Sequence, residues 1–241
     1  LFNMSETNNN IYPLLIGIVG QNRVGKDTLS QYLINHYQFT QYSLAQPIKD
    51  VARILFDFNE DQLEGNSKEK IDERWGISPR QFFQQFGTEI MQKKIYKYLP
   101  GLKNKIPLKT FWISKTIKKI KKDRMNNINK HVISDVRFLH EAKQILEMGG
   151  YLIKIERPSK QEIKENDYFN EITSMCQVAD EEHLRETLHH ESQTQVNDIP
   201  NNTIYCKIIN KGTLKEFENK IEKEIKNIIL HHEELKEDLN P

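Results

Sequence analysis

The fold is decided by residues 14–32, LLIGIVGQNRVGKDTLSQY. The apolar run LLIGIV at its start predicts a strand that is buried on both faces. The run ends at Gly20, crosses a polar loop to Gly25 and Lys26, and continues with the apolar spacing of a helix. A strand, a glycine-bounded loop and a helix in this order form the context that a phosphate-binding loop requires.

The predicted loop carries the groups that hold a polyphosphate. Its glycines let the backbone curl so that successive N–H groups point inward, and the N-terminus of the helix adds partial positive charge. Asp27 stands where Ser or Thr usually follows the lysine, so we assign the metal-side hydroxyl to Thr28. An ordinary strand–turn–helix with a capping glycine is the weaker alternative. The predicted nucleotide-binding residues are Gly20, Asn22, Arg23, Val24, Gly25, Lys26, Asp27 and Thr28.

Composition limits the possible classes of protein. A chain of 241 residues fits one α/β domain with insertions better than two domains. With 35 basic and 34 acidic residues the net charge is +1, so no global field favours nucleic acid or a membrane. The two cysteines, Cys176 and Cys206, give no disulfide framework and favour a reducing compartment such as the cytoplasm. We expect no signal peptide, and no apolar run reaches the roughly 20 residues that span a bilayer.

Strands and helices alternate after the loop. Further strands are predicted at residues 39–44, 131–136, 151–156 and 203–209, and an amphipathic helix follows from Leu214. This alternation implies a parallel sheet, in which ligands bind beyond the C-terminal ends of the strands. Besides the loop, the residues at such ends are Asp135, Arg137, Arg157 and Asn210.

A helix is predicted from Ser78 to Leu99, with Ser78 as its N-cap and proline in its first turn. Its apolar side is predicted to carry Phe82, Phe83, Phe86 and Ile90. Another side carries Arg80, Gln84 and Gly87. That side can hold an anion and a base against a close backbone, or it is an ordinary surface; the spacing leaves both open.

Three charged or polar stretches are predicted to lie at the surface. Residues 59–74 are interpreted as an exposed, mobile excursion, and the lysines of a helix at residues 111–124 as a solvated face rather than a nucleic-acid site. Residues 158–200, which include Arg185, are long and polar enough to form a mobile cover over the ligand side of the sheet. The histidine pairs at 189–190 and 231–232 are interpreted as surface pairs rather than metal sites.

A phosphate-binding loop predicts nucleoside triphosphate binding and leaves the reaction open. A GTPase would have an aspartate at position 213, in an Asn-Lys-x-Asp motif, where the chain has Thr213. It would also have a glycine where the chain has Phe138, and larger ATPases are normally bigger assemblies. A small-molecule kinase fits best, because arginines from several elements can neutralise charge on the transferred group while a cover excludes water.

Six stretches carry a resemblance to a known family. They are residues 25–28 (GKDT), 45–49 (AQPIK), 78–89 (SPRQFFQQFGTE), 111–112 (FW), 133–141 (ISDVRFLHE) and 209–214 (INKGTL). In this order they resemble the deoxynucleoside monophosphate kinase family of phages and large DNA viruses, which has bacterial relatives. The resemblance implies an α/β P-loop kinase sandwich of three layers, with a five-stranded parallel sheet of order 2-3-1-4-5. It implies one domain at residues 14–241 after a flexible tail at 1–13, with an acceptor-binding helical insertion at about 45–125 and a lid at about 158–200.

The resemblance also implies transfer of the γ-phosphoryl group of ATP, with Mg²⁺, to a deoxynucleoside 5′-monophosphate. The implied catalytic residues are Lys26, Asp135, Arg137, Arg157 and Arg185. The implied acceptor-binding residues are Lys49, Arg80, Gln84, Asp135 and Arg137. Asn210 is expected near the adenine and Thr28 at the metal, while Asp135 orients water on the metal or meets the sugar. A viral protein of this kind is expected in the host cytoplasm, and the sequence leaves a homodimer open.

Two alternatives to this function stay open at the level of sequence. One is a kinase for a non-nucleotide phosphate ester such as phosphomevalonate, because animal phosphomevalonate kinases resemble this family. The other is a nucleotide-binding protein without catalytic activity.

Overall fold

A computed structural model describes residues 13–158 and 195–238, in which five strands form one parallel sheet. The strands are β1 (Leu14–Val19), β2 (Thr40–Tyr42), β3 (Lys130–Val136), β4 (Tyr151–Glu156) and β5 (Cys206–Ile209). Their order across the sheet is β2-β3-β1-β4-β5 and every pair is parallel, which confirms the predicted order 2-3-1-4-5. All six residues of β1 are buried, as its unbroken apolar run predicts.

Helices cover both faces of the sheet and complete three layers. They are α1 (Lys26–Tyr37), α2 (Gln46–Phe56), α3 (Glu60–Leu63), α4 (Pro79–Gln84), α5 (Ile95–Tyr98), α6 (Phe111–Met125), α7 (Leu139–Glu147) and α8 (Leu214–Asp238). One core cluster joins α1 and α8 to one face of β1, and a second cluster joins α6 and α7 to the other face. Residues alternate between these clusters along the central strand because successive side chains of a strand point to opposite faces.

Short turns complete the described chain. The 3₁₀ turns are Asn66–Glu69, Pro100–Asn104, Gln195–Asp198 and Asn201–Thr203, and a π-helical stretch, Gln85–Lys94, joins α4 to α5. None of the described helices is both long and apolar enough to cross a membrane. The predicted tail, most of the predicted lid, Arg185 and the histidine pair at 189–190 lie outside the described residues.

The helix predicted from Ser78 to Leu99 is a continuous helical segment with a change of pitch. Ser78 caps it by accepting the N–H of Gln81 at 3.1 Å, as predicted. The assignment of Ile90 to the apolar side is wrong, because that side chain is 41% exposed. The π-helical turns use hydrogen bonds of wider spacing, which shifts the phase of the residues that follow relative to an α-helix.

Gly87 is a point of close contact between helices rather than an open surface. A Cβ atom on Gly87 would lie 2.6 Å from Cδ1 of Ile48 on α2. Its carbonyl oxygen accepts a hydrogen bond of 2.8 Å from Nε1 of Trp112 on α6. The glycine therefore lets three helical segments approach one another below the predicted acceptor side.

The prediction that residues 59–74 form an exposed excursion is confirmed for most of the stretch but is wrong for Leu63 and Asp72, which are buried, and its mobility stays a prediction. Leu63 is fully buried in a small core with Phe58. Asn59 caps α3 by accepting the N–H of Gln62 at 3.0 Å, and the Gln62 side chain donates to Asp72 at 2.8 Å. Nothing in the sequence signalled this burial, because Leu63 is one of only two large apolar residues in the stretch and the other, Ile71, is exposed.

Helix α8 packs its apolar stripe on the sheet over most of its predicted length. Phe217, Ile221, Ile225 and Ile228 are buried, whereas Leu214 is exposed in the first turn. His232 is also buried, with its ring against Tyr151, so the interpretation of residues 231–232 as a surface pair is wrong for this histidine.

Candidate active site

The loop between β1 and α1 has the curled backbone that the sequence predicts. Gly25 forms the N-cap of α1 with φ of 110°, a backbone conformation that residues with a Cβ atom rarely adopt. A Cβ atom here would also lie 2.6 Å from Nδ2 of Asn210. Arg23 has φ of 60°, and strained non-glycine residues of this kind concentrate at functional sites. The loop is thus held in a conformation that suits inward-pointing N–H groups.

Lys26 begins α1 as a buried cation. Its ammonium group donates a hydrogen bond to the carbonyl oxygen of Gln21 across the loop. Burial, helped by the positive charge of Arg137, lowers the pKa of Lys26 to about 8, although Asp27 and Asp135 act in the opposite direction. A desolvated cation beside a curled backbone is suited to receive a polyphosphate.

Asn210 anchors the loop from the end of β5. Its side-chain amide is buried and donates to the carbonyl oxygen of Val24 at 2.8 Å. Its backbone N–H donates to the carbonyl oxygen of Glu156 at the end of β4, also at 2.8 Å. The described contacts of Asn210 therefore hold the loop, and its predicted place near the adenine stays a prediction.

Arg137 follows β3 and points at the loop. Its guanidinium donates to the side-chain oxygen of Asn22 at 3.1 Å. Burial lowers the pKa of Arg137, and the negative charge of Asp135 opposes that shift. Lys26 and Arg137 thus stand close enough to influence each other, which brings two predicted catalytic cations together at the centre of the sheet edge.

Glu141 fixes the turn that carries Arg137, and the sequence reasoning missed this role. One carboxylate oxygen accepts the backbone N–H of Arg137 at 2.8 Å and that of Phe138 at 3.0 Å. Burial raises the pKa of Glu141 to about 8, against the lowering effect of these two hydrogen bonds. A glutamate three residues into a helix is the signal that could have revealed it, because this position caps backbone N–H groups.

Asp135 ties the end of β3 to the connection between β2 and α2. It accepts the hydroxyl of Ser43 at 2.7 Å and the backbone N–H groups of Leu44 and Ala45 at 2.8 and 3.0 Å. Both carboxylate oxygens take part in these bonds. Asp135 therefore positions the start of α2, a role the sequence reasoning did not include.

Arg80 lies in the first turn of α4, which packs against α2. Its positive charge adds to the effect of burial in lowering the pKa of Arg137. Nε of Arg80 donates to Glu69 at 2.9 Å. Gln84, one turn along the same helix, is buried. Lys49 on α2 forms an ion pair of 2.6 Å with Glu64.

A cavity of about 430 Å³ opens on the opposite side of the loop, toward β4 and β5. Its walls include Gln21, Val24, Arg157, Asn197 and Ile209. Arg157 is exposed at this wall, and Arg185 lies outside the described residues. Thr28 is half-buried in the first turn of α1. The described site thus has a cavity on one side of Lys26 and a group of cations on the other.

Solved structures with low sequence identity align over most of the chain. A dephospho-CoA kinase from Campylobacter jejuni is 16% identical with a TM-score of 0.44, covering 89% of this chain and 96% of that chain. A shikimate kinase from Aquifex aeolicus is 13% identical with a TM-score of 0.38, covering 90% and 99%. The fold assignment rests on the strand order and the loop rather than on these scores.

Similarity in sequence identifies the family more specifically than the fold does. A predicted deoxynucleotide monophosphate kinase of Acanthamoeba polyphaga mimivirus is 39% identical over 153 residues, which are 60% of this chain and 75% of that protein. The family model for deoxynucleotide monophosphate kinase matches residues 14–70 and 57–181. The chain therefore belongs to the deoxynucleotide monophosphate kinase family and is a nucleotide kinase.

Proposed function

We propose that this chain transfers the γ-phosphoryl group of ATP to a deoxynucleoside 5′-monophosphate and releases the diphosphate. The observation that carries this proposal is the hydrogen bond from Arg137 to Asn22 of the loop, at a point where the positive charge of Arg80 on α4 also acts on Arg137. Phosphoryl transfer depends on bringing two polyanions together and on neutralising charge between them. A guanidinium between two anion sites is suited to that task.

On the donor side, Lys26 holds the β- and γ-phosphates inside the curled loop. The cavity beside β4 and β5 receives the nucleoside, with Arg157 at its wall and Asn210 behind the loop. Arg185 is proposed to join from the lid. Together these residues would fix the triphosphate with its γ-phosphoryl group facing Arg137.

The donor side also fits a magnesium ion. The described residues contain no group of three or more His, Cys, Asp or Glu that could hold a metal by itself. Mg²⁺ at kinase sites keeps few protein ligands and is held largely by substrate phosphates and water, so the hydroxyl of Thr28, two residues after Lys26, would be its protein ligand here. The ion would neutralise charge on the phosphates.

On the acceptor side, Arg80 binds the monophosphate, and Lys49 and Gln84 complete the site. Asp135 holds the start of α2, from which Lys49 projects, and Arg137 reaches the transferred group. No general base is needed, because a phosphate monoester is already ionised at neutral pH. The chain's contribution is thus position and charge.

A coupled assay tests the reaction with a panel of deoxynucleoside monophosphates, ribonucleoside monophosphates and phosphomevalonate. Turnover of one or more deoxynucleotides supports the proposal, and exclusive turnover of phosphomevalonate overturns it. Lys26→Ala should abolish transfer while leaving the fold intact, and exposed Lys115→Ala is the matched control. Full activity in Lys26→Ala would remove the loop from the mechanism.

Arg80→Ala tests the acceptor site separately. We expect it to raise KM for the acceptor much more than KM for ATP, because a lost charge-assisted contact to phosphate costs about 1.5–3 kcal/mol. Arg53→Ala is the control, because Arg53 pairs with Asp50 and Glu60 on an exposed part of α2. An unchanged KM for the acceptor would mean that the phosphate binds elsewhere.

A further inference from the structure

Three cations lie together between α2 and α4. Lys49 and Lys68 both approach the carboxylate of Glu64, at 2.6 and 3.6 Å, and Arg80 lies close enough for its charge to act on Lys68. Burial and the charges of Lys49 and Arg80 lower the pKa of Lys68. The three side chains are only 18–22% exposed, so water screens their repulsion incompletely.

Two carboxylates pair with these cations in different ways. Glu64 forms ion pairs with both Lys49 and Lys68. Glu69, in the 3₁₀ turn Asn66–Glu69, binds only Nε of Arg80, at 2.9 Å. Within residues 13–158 and 195–238, neither terminal nitrogen of Arg80 donates a hydrogen bond. The forked face of a guanidinium, which binds oxyanions with two parallel bonds, is therefore not used by Glu69.

This cluster continues the cations of the phosphate loop. The charge of Arg137 acts on Lys26, that of Arg80 acts on Arg137, and Arg80 and Lys49 both act on Lys68. The charges of these side chains thus act on one another from the loop to α2. Glu69 pairs with Arg80, which is the residue proposed to bind the acceptor's phosphate.

We propose that Glu69 is a built-in competitor of the acceptor's phosphate, and that Lys68 binds this phosphate together with Arg80 once Glu69 has been displaced. The inference rests on the proposed function, because it takes the ligand to be a dianionic phosphate monoester. A carboxylate with one negative charge holds Arg80 in place while the site is empty. A phosphate with close to two negative charges and three free oxygens can satisfy Arg80 and Lys68 together.

The 3₁₀ turn does not depend on Glu69 for its position. The backbone N–H of Asn66 donates to the side chain of Asp61 at 3.2 Å, and that of Gly65 to its carbonyl oxygen at 2.9 Å. Lys68 adds its contact to Glu64. Loss of the Glu69 pair therefore leaves the turn attached, so substitution of Glu69 reports on competition rather than on folding.

Glu69→Gln is the principal test, because it removes the charge and keeps the shape. We expect KM for the acceptor to fall about twofold to fivefold, with kcat and KM for ATP unchanged, which is the range expected for one partly exposed ion pair. Glu60→Gln is the matched control, because Glu60 pairs with Arg53 at the surface with its side chain 72% exposed. An unchanged or raised KM for the acceptor in Glu69→Gln overturns the proposal.

Lys68→Met tests the second half of the proposal while keeping the aliphatic stem. KM for the acceptor should rise about fivefold or more, with KM for ATP unchanged. An acceptor KM equal to that of the wild type overturns the role of Lys68. This variant also keeps the proposal testable if Glu69→Gln fails to fold.

Calorimetric titration with inorganic phosphate separates this inference from the proposed function. If the wild type phosphorylates no deoxynucleotide, the proposed function fails, and tighter phosphate binding by Glu69→Gln than by the wild type still supports competition. If Glu69→Gln binds phosphate equally tightly or more weakly than the wild type, the competition by Glu69 is overturned. If the wild type is active and Glu69→Gln leaves the acceptor KM unlowered, the inference alone fails.

Discussion

At Lys26, burial and the positive charge of Arg137 both disfavour the charged form of the side chain. It lies 9% exposed at the start of α1, and the nearby charge of Arg137 is positive. The ligand-free protein therefore holds a cation that loses its proton more readily than an exposed lysine. An anionic ligand would restore the preference for the charged form, so binding of the triphosphate and protonation of Lys26 are coupled.

This coupling predicts a pH dependence. Because the pKa of Lys26 is about 8 and the charged form binds phosphate, kcat/KM for ATP should fall as pH rises above about 8. The measurement is initial rates at saturating acceptor from pH 6.5 to 9.5. Lys26→Arg, whose guanidinium keeps its proton over this range, should lack the decline. A wild-type profile that stays flat to pH 9.5 would contradict the prediction.

In the turn from β3 to α7, burial shifts the pKa of a side chain that holds a whole structural element in place. Glu141 gives up solvation to bind the two N–H groups that open α7, and these bonds orient the segment from which Arg137 projects. A buried carboxyl at this point makes the geometry of the turn depend on one side chain. Its protonation is therefore linked to the stability of the whole fold.

We predict that Glu141 makes stability decline with pH. Its pKa is raised from 4.5 to about 8, so between these values the folded state holds a proton that the unfolded chain has released. This contribution is complete below pH 4.5 and is lost as pH rises toward 8. Urea unfolding at pH 5, 6, 7 and 8 measures it. Glu141→Gln should flatten the dependence, and an identical slope in both proteins would contradict the assignment.

The contact between α2 and the π-helical stretch gives a second prediction at this scale. Gly87→Ala should lower the free energy of unfolding by about 1 kcal/mol, because the new Cβ meets Cδ1 of the buried Ile48 and this cost exceeds the gain in helix propensity. Adding Ile48→Val removes that atom and should recover part of the loss. Gly101→Ala is the control, since a Cβ there meets nothing within 4 Å. Additive losses in the double variant, measured by urea unfolding, would show that the contact is not the cause.

At the scale of the whole molecule, strand order decides what the loop can reach. The loop follows the central strand, so the ends of β3 and β2 lie to one side and those of β4 and β5 to the other. This order separates the cations around Arg137 from the cavity beside Arg157. A chain of the same composition with another strand order would not bring these groups to the same loop.

Nucleotide binding should stabilise this whole arrangement. ATP at about 100 times its Kd is expected to raise the free energy of unfolding by about 2.7 kcal/mol, which appears as a rise of several degrees in Tm. Differential scanning fluorimetry measures the shift. Adenosine at the same concentration should give a smaller rise because it lacks the phosphates, and Lys26→Ala should lose most of the ATP effect. Equal rises in Tm with adenosine and with ATP would contradict the binding of the phosphates by the loop.

Much of this architecture could be predicted because its signals are continuous in sequence. The run LLIGIV, the glycine-bounded loop and the alternation of strands with helices each depend on neighbouring residues. Burial of Leu63, exposure of Ile90 and the partners of Asp135 depend instead on segments far away in sequence. The local pattern of charges around Leu63 gave no sign of the small core that it joins.

The hydrogen bond from Asn210 to Val24 joins residues 186 positions apart. Translation at about 5–20 residues per second separates their emergence from the ribosome by roughly 10–40 seconds. During that interval the nascent chain contains the loop between β1 and α1 but not the Asn210 amide that hydrogen-bonds to it. Ribosome-bound chains that stop short of Asn210 should therefore bind ATP more weakly than chains that have passed it.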